Sequence, residues 1–245
     1  MKQGFFTLTE NTRIARDVYR MRLAGDTSAV TAPGQFVNIR LDGRFLRRPI
    51  SVCDKEGETL TLIYKVVGQG TAQMAEMRPG ERLDLLTGLG NGYDLSRAGA
   101  RPLLAGGGAG VPPLYLLARE LSAAGREVTA ILGFASAADV FYEKEFSALG
   151  VRVLLCTADG SRGRGGFVTD ALEEAGDYTY FYTCGPEPML RALFSASRGS
   201  GEFSFEERMG CGFGACMGCT CRTVAGPKRI CREGPVLKKE EILWR

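Results

Sequence analysis

The chain has 245 residues, none of them histidine, and a single tryptophan. Without imidazole it lacks the commonest general base of hydrolases, and a Rieske centre, which needs two histidines, is excluded. No segment approaches the roughly 20 consecutive apolar residues that cross a bilayer. The opening MKQGFFTLTENTR has no basic stretch leading into an apolar core, so neither secretion nor membrane insertion is expected and the cytoplasm is the default. Blocks of one charge sign are also missing. The net charge of +3 comes from interspersed signs without aromatic-basic interleaving, which gives no reason to expect a nucleic-acid partner.

What is present is an ordinary globular composition, 44% hydrophobic and 24% charged, in a chain long enough for two cores and a smaller appendage. Up to about residue 97, short runs such as GQFVNIRL, TLTLIYKVV and ERLDLLTG alternate apolar with polar between glycine and proline turns. That texture predicts an antiparallel barrel or sandwich. From Arg101, strand-like PLLAG, EVTAILGF, VRVLLCT and YTYFYTC alternate with helical VPPLYLLARELSAAG, DVFYEKEFSALG, GFVTDALEEAG and EPMLRALFSAS, which predicts a parallel α/β sheet. After Gly199 that rhythm stops. The expected division is a β-barrel at 1–97, an α/β domain at 98–200 and a cysteine-rich segment at 201–245, with SRAGA, 96–100, as a hinge.

Five of the eight cysteines fall in the last fifth of the chain, in ERMGCGFGACMGCTCRTVAGPKRIC. Cys211, Cys216 and Cys219 are spaced C-x4-C-x2-C, with Cys231 following, the plant-type arrangement for a [2Fe-2S] cluster. Gly210, Gly212, Gly214 and Gly218 suit backbone wrapped around a charged cluster whose sulfurs accept N–H hydrogen bonds. A structural zinc site is the competing reading, although the paired C-x2-C knuckle usual for zinc is absent. Cys221 falls outside the spacing and reads as a spare thiol.

LLAGGGAGVPPLYLLARELSAAG carries Gly106, Gly107, Gly108, Ala109 and Gly110 from a strand into a helix opened by Pro112 and Pro113. Such a turn lets backbone approach a pyrophosphate at a helix N-terminus. Val111 stands where the third glycine of G-x-G-x-x-G belongs, and a plain tight connection explains the run equally well. YFYTCGPEPMLRAL places Cys184, Gly185 and Pro186 at a later strand end, on the carboxyl edge where open sheets bind ligands. A buried strand-end thiol is the simpler account of Cys184. In the β region, Arg48 can fork onto a phosphate, Ser51 can bond a cofactor ring, and Gly70 with Thr71 can offer N–H groups. A solvated arginine and an ordinary turn are the alternatives. The stretch GFASAADVFYEKEF after the second α/β strand offers no cation before Lys144, which favours NAD over NADP unless Arg162 or Arg164 reaches in from a distant loop.

RRPIS, LIYKVVGQGT, GNGYDL, LLAGGGAGVPPL, YTCGPEPM and the closing C-x4-C-x2-C…C with REGPVL together resemble the ferredoxin-reductase superfamily, and within it the electron-transfer subunits of type B dihydroorotate dehydrogenase. The resemblance covers essentially the whole chain. It implies a flavin-binding barrel, a nicotinamide-binding α/β domain and a C-terminal [2Fe-2S] segment. FAD would lie on Arg48, Pro49, Ile50 and Ser51, on Ile63, Tyr64 and Lys65, and on Gly70 and Thr71. NAD would meet Gly106 to Gly110 and Cys184 to Pro186, with Ser51 and Cys184 beside the reacting atoms. Many relatives stack a tyrosine where this chain has Ile50. The resemblance further implies an FMN-containing catalytic partner in a heterotetramer of two copies of each chain, acting in pyrimidine biosynthesis. FAD would convert between the hydride pair of NADH and the single electrons of the cluster, work that needs no histidine. Two other classes stay open: a self-standing NAD(P)H reductase serving a ferredoxin or oxygenase, and a zinc-dependent or redox-sensing module.

Overall fold

A computed structural model describes residues 1–244. The first six strands are β1 (Lys2–Ala15), β2 (Val18–Ala24), β3 (Phe36–Ile39), β4 (Arg48–Glu56), β5 (Thr59–Lys65) and β6 (Arg82–Leu89), with helix α1 (Gln69–Glu76) between the last two. They close into an antiparallel barrel in the order β1-β2-β5-β4-β3-β6. Alternation along each strand turns Leu8, Met21, Leu23, Val37, Ile39, Val52, Leu60, Leu62, Leu83 and Leu85 into one buried cluster. Each of these side chains contributes about 1.5–3 kcal/mol on leaving water.

The second layer begins with β7 (Pro102–Gly107) and continues through α2 (Pro112–Ala123), β8 (Thr129–Phe134), α3 (Glu143–Ala148), β9 (Arg152–Thr157), β10 (Arg164–Gly165), α4 (Leu172–Ala175), β11 (Tyr180–Cys184) and α5 (Glu187–Ala196). It is completed by β12 (Gly201–Ser204), the hairpin β13 (Thr220–Thr223) with β14 (Gly226–Arg229), and β15 (Val236–Lys238). The sheet runs β10-β9-β8-β7-β11-β12-β15, parallel except for β15. The barrel and the parallel sheet are those expected from the sequence. Two expected helices are shorter. Tyr142 sits left-handed at φ 63°, held buried against Tyr115, so α3 starts only at Glu143. The stretch expected as GFVTDALEEAG gives a 3-10 turn before the short α4.

The parallel rhythm also does not stop at Gly199. β12 pairs with β11 over Phe181–Cys184, and β15 pairs with β12, so the cysteine segment is a loop and hairpin inserted between two strands of the sheet. GEFS is too short to advertise itself as a strand; its register comes from its neighbours. SRAGA is pinned rather than hinge-like, because Ala98 is fully buried and its carbonyl accepts the Thr179 hydroxyl at 2.5 Å.

GNGYDL joins the layers. Asn91 pairs with Val236 in both directions, Nδ2 donating at 2.7 Å and Oδ1 accepting at 3.1 Å. The Tyr93 hydroxyl donates to the Thr183 carbonyl at 3.1 Å, and Glu202 accepts the Asp94 N–H at 3.0 Å. Helix α2 packs across β4, where Arg119 pairs with Asp54 at 2.9 Å and donates to the Lys55 carbonyl at 2.7 Å. Among the described residues no helix is long and apolar enough to cross a membrane.

Candidate functional site

A cleft of about 560 Å³ opens between the barrel and the carboxyl edge of the sheet. From the barrel it receives Val18, Ile63, Tyr64 and Lys65; from the sheet it receives Gly107, Gly108, Ala109 and Pro186. Tyr64 is fixed by donating to Asn11 Oδ1 at 3.0 Å and by stacking on Tyr19. Phe134, Asp139, Phe141, Phe167 and Met189 also line the cleft and went unmarked in the sequence, since isolated aromatics after strand ends carry no periodic signal.

The two glycine-rich turns meet in the cleft floor. A methyl group on Gly110 would run into the backbone carbonyl of Cys184, and one on Gly107 or Gly185 would strike Met189. Gly106 is held against Leu114 and Val111. Tight packing therefore accounts for much of this glycine run. Gly108 differs, with φ 52° and open space on its β-carbon side. Cys184 ends β11 opposite Ser204 of β12. Burial pushes its thiol up to about 12, so it is a neutral contact rather than a nucleophile.

On the barrel, the Arg48 guanidinium lies over Gly70, where a β-carbon would collide with it. The neighbouring first turn of α1 leaves N–H groups without intrahelical partners. The Thr71 hydroxyl is occupied within its own turn, accepting from Val67 N at 2.9 Å and donating to the Gly68 carbonyl at 3.1 Å. A guanidinium above orphan helix N–H groups suits a pyrophosphate. In the β3–β4 pair, Ser51 stands opposite Phe36 and Pro49 opposite Asn38, so these four share a face. Ile50 stands opposite Val37 and packs on the barrel core.

The segment after β8 is not without a cation. Arg16 crosses from the barrel and binds Asp139 through Nε at 3.1 Å and Nη2 at 2.5 Å, with Ser136 at 3.2 Å. Arg162 is paired with Glu143 at 2.5 Å and Arg164 with Glu174 at 3.7 Å. Arg16, Arg162 and Arg164 thus each face a carboxylate.

The four spaced cysteines form two pairs. Ala215 N and Cys216 N donate to Cys211 Sγ at 3.2 and 3.4 Å, while Cys211 N and Gly218 N donate to Cys216 Sγ, both at 3.5 Å. Burial raises the Cys211 thiol, but the N–H groups of Cys216, Phe213 and Ala215 outweigh it and hold the thiol down at about 6. The second pair is interior: Cys231 N donates to Cys219 Sγ at 3.4 Å, and both residues are 2% exposed. Burial and the neighbouring Cys219 push the Cys231 thiol up to about 12. Among the described residues no three ligating side chains converge on one point, as a single zinc ion would require. Two adjacent thiol pairs with N–H groups aimed at sulfur suit a two-iron cluster, two thiolates to each iron. Cys221 lies on the β13–β14 hairpin, half-buried among apolar neighbours and outside both pairs.

Comparison with known proteins follows these lines. Residues 206–243 match the family model for the iron-sulfur cluster binding domain of dihydroorotate dehydrogenase B. Residues 104–194 match the oxidoreductase NAD-binding domain. The chain is 46% identical over 256 residues to the dihydroorotate dehydrogenase B (NAD(+)) electron transfer subunit of Shouchella clausii, covering 99% of this chain and 98% of that protein. It is 44% identical to the subunit of the same name from a Geobacillus species, covering 99% of each. Among solved structures it resembles a chain of the NADH-dependent reduced ferredoxin–NADP oxidoreductase, studied for flavin-based electron bifurcation, with a TM-score of 0.89 at 28% identity over 98% of this chain and 90% of that one.

Proposed function

The chain belongs to the family of dihydroorotate dehydrogenase B electron transfer subunits, and from that premise we infer that it carries electrons between NAD and a catalytic dihydroorotate dehydrogenase subunit. Its cofactors are FAD, a [2Fe-2S] cluster and NAD. When bound, FAD supplies the conversion between a hydride pair and single electrons. We assign the remaining roles to this chain's own side chains. Arg48 and the first turn of α1 at Gly70 and Thr71 hold the FAD pyrophosphate. Pro49 to Ser51 and Ile63 to Lys65 hold the ring. Gly106 to Gly110 and Cys184 to Pro186 seat the nicotinamide end of NAD, with the neutral Cys184 thiol adding no charge beside it. Cys211 with Cys216, and Cys219 with Cys231, hold the two irons. The barrel is the FAD domain, the sheet the NAD domain, and the inserted loop and hairpin the cluster segment.

One observation carries this reading. The β3–β4 face that bears Pro49 and Ser51 also bears Phe36, which belongs to the same buried cluster as Cys219, Ile230 and Cys231. The flavin stretch and the cluster segment thus meet across one barrel face, a short gap of the kind electron transfer needs. Arg16, Arg162 and Arg164, engaged with Asp139, Glu143 and Glu174, support NAD over NADP. For the partner, the reading specifies an FMN-containing catalytic chain, two copies of each, docked where Phe213 and Met217 leave the cluster loop exposed.

The test is a visible spectrum of the purified chain before and after anaerobic NADH, then coexpression with the catalytic subunit. Flavin and cluster bands should both bleach, and the copurified pair should reduce NAD with dihydroorotate while the chain alone does not. A colourless protein, or a chain that oxidises dihydroorotate unaided, would overturn the proposal. Failure to copurify would favour the self-standing reductase.

A further inference from the structure

Asn38 is a polar side chain in a place that has little room for one. It lies in FVNI, the whole of β3, and is 1% exposed. Alternation sends Val37 and Ile39 into the barrel core, whereas Phe36 and Asn38 face outward toward the cluster segment. A valine or threonine would satisfy the strand and the packing. Instead the Asn38 amide reaches a residue 173 positions away, donating from Nδ2 to the backbone carbonyl of Cys211 at 3.2 Å. Gly212, the next residue, comes so near that any β-carbon there, at φ 79°, would run into the same amide nitrogen. The amide oxygen, fully buried, has no partner among the described residues. Burying an unpaired amide oxygen costs about 1–3 kcal/mol, so packing alone gives no reason for an asparagine here.

The backbone around it is equally tied. Asn38 stands directly opposite Pro49, within the stretch assigned to the flavin. The Asn38 carbonyl accepts from Arg47 Nη1 at 3.3 Å, and Arg47 in turn grips Asp84 of β6 at 2.9 Å. One residue therefore has its main chain paired with the flavin stretch and its side chain bonded to the backbone of a cluster ligand. Arg229 holds the same loop from its far side, donating from Nη1 to the Gly214 carbonyl at 2.7 Å. The loop is thus tied to the hairpin by Arg229 and to the barrel by Asn38.

Building on the cofactor reading above, we propose that Asn38 is a positioning residue for electron transfer between flavin and cluster. Its amide fastens the Cys211 carbonyl to the barrel strand facing Pro49, and so fixes the separation and contact between the two cofactor sites. Phe36, on the same face, supplies packing but cannot bond the loop. Removing the amide leaves the NAD cleft untouched, because Asn38 does not line it.

The experiment uses the full-length chain loaded with FAD and cluster, mixed anaerobically with NADH in a stopped-flow spectrometer, with the reduced cluster also examined by EPR. Asn38→Leu keeps the branched shape, with somewhat more bulk, and removes the donor; Asn38→Ser removes reach without adding bulk, in case leucine prevents loading. In either loaded variant the flavin phase should keep its wild-type rate. The later bleaching of the cluster should slow by about 10-fold or more, in line with loss of an outer-shell partner of a metal ligand. The cluster's EPR g-values should shift as the Cys211 loop relaxes. Loss of the cluster with FAD retained also supports the tether. A loaded variant with wild-type cluster kinetics and an unchanged EPR spectrum overturns it, as does loss of FAD together with the cluster in both variants, which would make Asn38 a folding residue. Failure of the underlying relay would show separately in the wild type, as a flavin that bleaches while the cluster stays oxidised.

Discussion

Two glycine-rich loops serve this protein, and their glycines answer different needs. At Gly106 to Gly110 the neighbours leave no room for side chains: Cys184, Met189, Leu114 and Val111 press on the backbone, and Gly108 alone has a positive φ with free space. At Gly210 to Gly218 the chain bends through Gly212 at φ 79° and Gly214 at φ 92°, so that four N–H groups converge on Cys211 and Cys216. Glycine content is therefore a poor ligand signal. The direction of the freed N–H groups separates a packed connection from a cradle.

The largest test of the cradle is to remove a sulfur from its buried side. Cys219→Ser and Cys231→Ser should each abolish the visible cluster absorbance and most bound iron, because no alternative thiol lies inside that pair. FAD and NADH oxidation with an artificial acceptor should persist, since the barrel and cleft share none of these residues. Iron analysis beside the flavin spectrum decides the matter. Full iron in Cys231→Ser would show that the pairs are misassigned.

The packed loop predicts a smaller, steric penalty. Gly110→Ala would drive a methyl group into the Cys184 carbonyl and should cost about 1–3 kcal/mol of stability while slowing flavin reduction by NADH. Gly108→Ala meets only backbone strain, about 1–2 kcal/mol, with nothing to push against. Thermal unfolding and stopped-flow reduction would rank the two. A Gly108 variant less stable than the Gly110 variant would reverse the contrast.

These cases show what sequence makes legible. The barrel, the parallel sheet and the four spaced cysteines could be read because each rests on local periodicity or spacing. β12 and β15 could not, being four- and three-residue strands whose pairing joins Ser204 to Val236 across the whole cysteine segment. The cleft aromatics Phe134, Phe141 and Phe167 come from the end of β8 and two separate connections and converge only when the sheet forms. Arg16 is the sharpest case: the stretch after β8 reads as free of cations, and its arginine arrives from the barrel, 123 positions away from Asp139. Asn38 is similar, an unremarkable letter in a strand whose partner is 173 residues distant.

On β12, the buried Glu202 carries a pH signature. Burial pushes its carboxyl up from the ordinary 4.5 to about 7. Between those values the folded state holds a proton that the unfolded chain has released, so stability falls as pH rises through that window. Glu202→Gln keeps an acceptor for the Asp94 N–H and cannot ionise. It should match the parent near pH 4 and exceed it at pH 8 by on the order of 3 kcal/mol. Denaturant unfolding at the two pH values tests this, and a gap that does not widen with pH would place the ionised carboxylate in a better-solvated site.

The smallest expected effect sharpens the contrast most, because it concerns a cysteine inside the cradle's own sequence. Cys221 is two residues from Cys219, yet it sits on β13 opposite Lys228, where the hairpin register carries its sulfur toward the apolar neighbours shared with Trp244. Burial raises its thiol, and the N–H that reaches its sulfur is its own, unlike the convergent donors at Cys211. A thiol outside both pairs, without the convergent N–H donors that reach the Cys211 and Cys216 sulfurs, lacks the setting of an iron ligand. Cys221→Ser should therefore retain full iron, an unchanged visible spectrum and unchanged cluster reduction, losing about 1 kcal/mol for the half-buried hydroxyl. Iron-to-flavin ratio and the EPR spectrum are the deciding measurements. If the serine variant loses the cluster while Cys231→Ser keeps it, the inner iron is held by Cys219 and Cys221, and proximity in sequence outweighs the pairing that the hairpin imposes.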